Sequence, residues 1–350
     1  MAATGAVERI VGAVVGGIVA DAAAMPCHWV YDVEVLRKAV GGGAPEFLEP
    51  AANHFYTRPT GDNSCYGDQA LVLLRSVKGG DFSAADYAKA AVDTFGAKEG
   101  PYSFFLENEV KREDLPIASA WLHASVKQFV TAVREGADPL AAAAKTDEQV
   151  DGCVKVAPLL AALRTQGSAP EASLSSVAEM VRVTQAADIP VAFAVGLARI
   201  LGRVLDGAEI TDAYKSVYDV LGDDGRPVPL PGDQQVREEL QHVISNLARA
   251  HSEYVAENGR SCSLPVAWKN GLHAAASDLS PEQEQPSPFV ARIRAAIMEG
   301  GCNCSRSSIA GMLLGARHGI AGVPEDWRAR AQNAGEALAL AQAIAAPAKQ

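Results

Sequence analysis

Positive charge is what this sequence is short of: 31 Lys and Arg stand against 42 Asp and Glu, for a formal net charge of -11. Nucleic-acid and anionic-membrane surfaces need clustered Lys and Arg, so the imbalance argues against both and favours small polar ligands or protein partners. Long apolar runs are lacking too. The stretch 10–20 is too brief to span a bilayer and leads straight into Asp21, with no basic segment or cleavage pattern before it. The expectation is a cytoplasmic, intracellular protein that engages no membrane. Cysteine is sparse, and six in 350 residues make no disulfide framework. Cys302 and Cys304 are one residue apart, which strains a bond between them and leaves free thiols, metal ligation or pairing with a third cysteine. Period-two alternation, fixed-period repeats and hinge-like linkers are missing as well, which argues against sheets, solenoids and separate domains.

What is present is helical periodicity. Hydrophobic residues make up 48% of the chain and the mean hydropathy is +0.02, as in a globular protein. Disorder is expected only in the last few residues, where the chain trails off as APAKQ. Helical patterns occupy 7–24, 83–97, 116–135, 148–164, 173–185, 190–205, 211–221, 233–256, 264–275, 289–298, 305–319 and 324–345. Another, striped by Leu71, Leu74 and Val77, follows the polar stretch 61–69. Breakers mark connectors at 223–232, 257–263 and 277–288. The helices are Ala-rich and low in charge, as expected where each packs on more than one side. The fold class predicted is all-α: a single compact multi-helix domain over residues 1–350, with a last helix to about 345 and a short tail.

Three helix starts carry chemically able loops. The stretch 299–319 reads EGGCNCSRSSIAGMLLGARHG: Gly300 and Gly301 permit a sharp turn, and Ser305 or Ser307 is expected to cap the helix that follows. Ile309, Met312, Leu313 and Ala316 form its buried face, while Gly311 and Gly315 would let a second helix approach closely. Cys302, Asn303 and Cys304 then lie at the positive end of a helix dipole. The segment 7–24 holds Asp21 inside an apolar helix, where a carboxylate needs a partner, and Met25 to Asp32 follow as a dense run of able side chains. The irregular, aromatic-rich stretch 41–67 ends in Gly-Asp-Asn-Ser-Cys-Tyr-Gly-Asp-Gln, where Asp68 is read either as a cap or as a functional carboxylate.

With these stretches the sequence resembles the ADP-ribosylglycohydrolase family over about 6–327, nearest the branch that includes the jellyfish J1 lens crystallins. The matching segments are GAVVGGIVADAAAMPCHWVYD at 12–32, GDNSCYGDQALVLL at 61–74, DGCVKVAPLL at 151–160 and GGCNCSRSSIAGMLLGARHGIAGVPEDW at 300–327. The resemblance implies a helical protein in which two magnesium ions, held by acidic and threonine ligands, bind ADP-ribose and help water cleave its N- or O-glycosidic link. The expected partners are an ADP-ribose-like small molecule or an ADP-ribosylated protein. Residue by residue, the family's Gly-Asp pair becomes Ala20-Asp21, and the glutamate that follows becomes His28. The Thr-Asp-Asp-Thr quartet becomes Tyr66, Gly67, Asp68 and Gln69, and the closing Asp-Thr-Asp-Thr becomes Cys302, Asn303, Cys304 and Ser305.

On this mapping Asp68 and Asp62 orient a metal or water, and His28 acts as acid or base. Asp21, Trp29, Phe55, Tyr56, Tyr66, Asn303 and Ser305 contact the substrate, the aromatics by stacking on a base and Ser305 by holding phosphate. Asp68, Cys302, Cys304 and Ser305 stand at the metal positions. Thiolates are poor magnesium ligands, so magnesium is the family's expectation, with no metal or zinc as the alternatives. Zinc would draw on Cys65, Cys302, Cys304 and His28. The contrasting functional reading is a pseudoenzyme, a crystallin-like structural or ligand-binding protein.

Overall fold

Small and apolar side chains fill the chain from Ile10 to Ala24 with Asp21 as the single exception, and such a segment is stable only when enclosed on every side. In the computed structural model, which describes residues 5–77 and 81–346, it is the central helix of an all-α domain. The described residues form eighteen α-helices and no strand, with three isolated bridges between loops. Nine helices build the site: α1 (Ala6–Ala24), α2 (Val33–Val40), α3 (Cys65–Ser76), α4 (Val156–Thr165), α5 (Asp188–Leu205), α6 (Val266–Ala276), α7 (Pro288–Met298), α8 (Asn303–His318) and α9 (Ala334–Ala345).

The close approach expected at Gly311 and Gly315 is made, and the partner is α1. A Cβ at Gly12 would lie 2.2 Å from the Gly315 carbonyl oxygen, and one at Gly16 would lie 2.3 Å from that of Gly311. Gly12 facing Gly315 and Gly16 facing Gly311 makes the two helices antiparallel, with their backbones in contact. Around this pair pack α3, α4, α5, α6, α7 and α9. By length and composition α1 is apolar enough to cross a bilayer, longer than the run at 10–20, but from Ile10 to Ala24 it is buried by protein here, which is the position of a core helix.

Local pattern misplaced several boundaries. The helix expected over 116–135 forms only at Ala124–Arg134, because Ile117 instead exchanges backbone hydrogen bonds with Phe55 and Thr57 at 3.0 and 2.9 Å. The expected 148–164 helix is interrupted at Lys155, 233–256 breaks after Asn246, and 324–345 breaks between Arg330 and Ala334. The last break has a visible cause: Gln332 N donates to the Gly61 carbonyl at 2.9 Å, so the C-terminal segment must turn there to clasp the loop before α3. Helix α2 went unexpected, although Asp32 caps it by accepting from Glu34 N and Val35 N.

Candidate functional site

The three loop clusters converge. Gly300 and Gly301 both take left-handed backbone, at φ +61° and +60°, which side chains disfavour. The resulting turn pairs both ways with the first loop: Trp29 N donates to the Gly301 carbonyl, and Gly301 N to that of Val30, each at 2.8 Å. Helix α8 begins at Asn303 with Cys302 as N-cap, earlier than expected, and no side chain caps it. This corrects the role given to the serines: Ser305 Oγ donates to the Cys302 carbonyl at 3.1 Å, and Ser307 Oγ is buried without a partner. The turn is held from beneath by the buried Arg306, whose Nη2 donates to the Ala296 and Gly300 carbonyls at 2.8 and 2.6 Å. Burial pulls the Arg306 guanidinium down to about 10, partly offset by Cys302 and Glu299.

Asp21 joins α1 to the start of α3. Its Oδ2 accepts from Ser64 N at 2.8 Å and Asn63 Nδ2 at 3.0 Å, and its Oδ1 from Ser64 Oγ at 2.6 Å. Complete burial outweighs these donors and raises its pKa from 3.8 to about 6. Asp68 is not the cap of α3, since Ser64 takes that place by accepting from Tyr66 N. Instead Arg58 lies between Asp68 and Asp62, donating from Nη1 to Asp68 Oδ2 at 2.6 Å and from Nε to Asp62 Oδ2 at 3.2 Å. The Tyr102 hydroxyl adds a second donor to Asp68 Oδ2 at 2.6 Å.

Between these carboxylates the expected substrate-contacting aromatics pack on one another. Tyr66 is fully buried and Tyr56 nearly so. Trp29 makes edge contacts with Phe55, Tyr56 and Trp121, and its ring stacks on His28 at 4.3 Å. His28 bonds Tyr56 OH through Nδ1 at 2.8 Å and faces Cys302 Sγ through Nε2 at 3.8 Å. Burial lowers its pKa, so the ring favours the neutral form. Asn303 donates from Nδ2 to the Cys27 carbonyl at 3.0 Å, while its Oδ1 is buried and unpartnered.

The residues at the metal positions do not fit a metal centre. Asp68 is engaged by a guanidinium and a phenol. Cys302 Sγ lies against Tyr66 OH and Ser305 Oγ at 3.2 and 3.1 Å, whereas Cys304 Sγ turns to the Asp21 carbonyl at 3.8 Å. At Gly67, standing where the family has an aspartate, a Cβ would meet Asp21 Oδ2 and Asn63 Nδ2 at 2.4 Å each. The zinc set is likewise divided: His28 is beside Cys302, but Cys65 Sγ accepts from Gln69 Nε2 at 3.8 Å. Among the described residues no group of three or more His, Cys, Asp or Glu is placed to hold an ion.

Sequence reasoning missed Arg58, Tyr102, His123 and Asp151. His123 Nδ1 lies 2.6 Å from Asp151 Oδ1, which also accepts from Gln69 Nε2 at 2.6 Å. Burial opposes charge on both, yet the Cys65 and Asp151 contacts raise His123 well above its ordinary value, and His123 leads the contacts that hold Asp151 below its own. The pair is a buried imidazolium–carboxylate. Only Arg58 had a local signal, its spacing of four from Asp62.

Comparison with known proteins agrees with this architecture. The ADP-ribosylglycohydrolase family model matches residues 2–350. Crystallin J1A of Tripedalia cystophora is 26% identical over 347 residues, covering 98% of both chains, and Crystallin J1B of the same animal is 25% identical over 340 residues, covering 96% of both. A solved structure described as an ADP-ribosylglycohydrolase-related protein complex superposes with a TM-score of 0.64 at 20% identity, covering 97% of this chain and 98% of the other, a likeness of fold. With a family model spanning nearly its whole length, this chain belongs to the ADP-ribosylglycohydrolase family.

Proposed function

We propose that this protein is a pseudoenzyme of its family: a crystallin-like structural protein in which the place of magnesium-dependent ADP-ribosyl hydrolysis has been rebuilt as polar core. The observation that carries the reading is Arg58 between Asp62 and Asp68. A guanidinium there neutralises the carboxylates that would otherwise attract a cation, and its side chain is only 10% exposed. Burial works against its charge, but Asp68, Tyr102 and Asp62 more than reverse that and hold its proton above the ordinary value. Tyr66, Tyr56, His28 and Trp29 occupy the space between the helix starts. Asp68 Oδ2 already accepts from both Arg58 and Tyr102, so a cation or water sharing that oxygen would have to compete with a guanidinium and a phenol. The two relatives named as crystallins support the same reading.

A second reading, retention of an ADP-ribose-like ligand without hydrolysis, draws on a cavity of about 310 Å³ outside this packed region. Thr57, Arg58, Asp62, Phe104 and Ser119 are among its lining residues. Phe104 offers an exposed ring for stacking.

The test is release of ADP-ribose from arginine- and serine-modified peptides in the presence of magnesium. The proposal expects no turnover above buffer. Magnesium-dependent release that disappears in Asp68→Asn would overturn it, while ligand binding without release would select the second reading.

A further inference from the structure

We infer that the cavity between α4, α5 and the helices Pro170–Arg182 and Ile210–Leu221 binds a small amphipathic acid, a monocarboxylate with an aliphatic body, whose head group is held by Arg199 and Arg203. This goes beyond the reading above and does not depend on it, since none of the lining residues belongs to the three loop clusters. The cavity measures about 490 Å³, within the range usual for small-molecule sites.

Arg199 carries the argument. It is only 9% exposed, and no carboxylate among the described residues pairs with it. Its Nη2 donates to the Pro227 and Val228 carbonyls at 2.5 and 3.1 Å. Nε is buried without a partner, and Nη1 has none among the described residues. Burial lowers the Arg199 pKa, and the Asp233 charge offsets this only in part. Asp233 is itself engaged, by Arg226 at 2.7 Å and by Leu230 N at 3.0 Å. A buried guanidinium short of acceptors is costly, and a carboxylate entering the cavity supplies a charged acceptor. Arg203 lies one turn further along the same face of α5. It is exposed, and its side chain has no partner among the described residues.

The charges lining the cavity set the charge of the ligand. Arg164 is already neutralised: it donates to both oxygens of Asp206, and from Nη2 to the Gly202 carbonyl at 2.8 Å. Arg199 and Arg203 then stand against Glu171 alone. One positive charge is left over, which suits a monoanion better than a phosphate dianion. The helix Pro170–Arg182 starts at the cavity with no side chain capping it, and its positive end adds to the same preference. The rest of the lining is largely apolar. Leu160, Leu174, Ala198 and Val217 are buried side chains that border this space and offer contact to an aliphatic body.

Isothermal titration of the full chain with octanoate tests the assignment, with hexanoate, octanamide and inorganic phosphate as comparisons. Octanoate should bind at a single site. Octanamide, alike in shape but uncharged, should bind about tenfold more weakly, the share of a charge-assisted hydrogen bond. Hexanoate, shorter by two methylenes, should also bind about tenfold more weakly. Arg199→Met should weaken octanoate binding about tenfold, and Arg203→Met, at an exposed position where folding is not at stake, should weaken it severalfold. Octanamide or phosphate binding as tightly as octanoate, octanoate affinity unchanged in both folded variants, or no saturable heat from octanoate would each overturn the inference. The comparison of octanoate with octanamide uses the wild type, so a misfolded Arg199→Met does not blur the result.

Discussion

Replacing Asp21 by Asn should make the protein more stable at pH 8 and leave it nearly unchanged at pH 4. The carboxyl is fully buried, and its pKa rises from 3.8 to about 6 because burial outweighs three hydrogen bonds. The folded state therefore binds this proton more tightly than the unfolded chain does. The associated stability is present below the unfolded value and is lost as pH rises through the folded value. A shift of roughly two units corresponds to about 3 kcal/mol, most of it lost between pH 4 and pH 8. An asparagine can keep the geometry. Its oxygen, placed at Oδ2, accepts from Ser64 N and Asn63 Nδ2, and its amide, placed at Oδ1, donates to Ser64 Oγ, whose hydroxyl also serves as acceptor. Urea unfolding of both proteins at pH 4 and pH 8 reads the effect as a difference of differences, in which the titrations common to both cancel. The gap should widen by about 2–3 kcal/mol in favour of Asn at the higher pH. A gap that stays constant, or an Asn variant that loses about 2 kcal/mol or more at pH 8, would mean that Asp21 is held as a functional carboxylate and that the structural argument for it is wrong.

Three further outcomes follow from other parts of the core. Arg306→Met leaves the Ala296 and Gly300 carbonyls without their donor, and should lower the unfolding free energy by about 2–4 kcal/mol in chemical denaturation; a neutral result would remove Arg306 as the prop of the turn. Gly16→Ala places a Cβ against backbone oxygen that cannot swing away, so it should destabilise by about 3 kcal/mol, the upper end for overpacking, whereas Ala at Gly335, where a Cβ meets nothing, should be tolerated. Asp151→Asn strips the buried His123 of its counter-charge and should destabilise by about 3–5 kcal/mol near neutral pH. In the wild type the His123 share is complete below about 6.5 and fades as pH rises through its raised folded value. The Asp151 share is complete above 3.8 and is lost as pH falls through its lowered one. A pH–stability profile of the variant parallel to the wild type's would contradict the pairing.

Helix class and the site's framework were legible because they depend on local spacing. Gly311 and Gly315 announced a close helix contact, Gly300 and Gly301 a turn, and the repeated pattern of polar loop before apolar helix marked three starts that converge. What spacing does not carry is partner choice. Asp68 reads equally as cap, ligand or catalyst until Arg58 and Tyr102 are placed against it, and Tyr102 is 34 residues away. Cys302 and Cys304 look equivalent in sequence, yet two residues at the start of α8 carry the chain about half a turn, which sends the first to Tyr66 and the second to the Asp21 carbonyl. The missed helix break between Arg330 and Ala334 arises the same way, since Gln332 N finds a tertiary partner in the Gly61 carbonyl that local propensity does not foresee.

The central claim is that protein side chains take the place of metal in this fold's loop convergence, and calorimetric titration of the protein with magnesium, in the presence and absence of ADP-ribose, tests it most directly. The account predicts no magnesium-binding heat and an ADP-ribose isotherm that magnesium leaves unchanged. Stoichiometric magnesium binding that strengthens ADP-ribose binding and is lost in Asp68→Asn would contradict it.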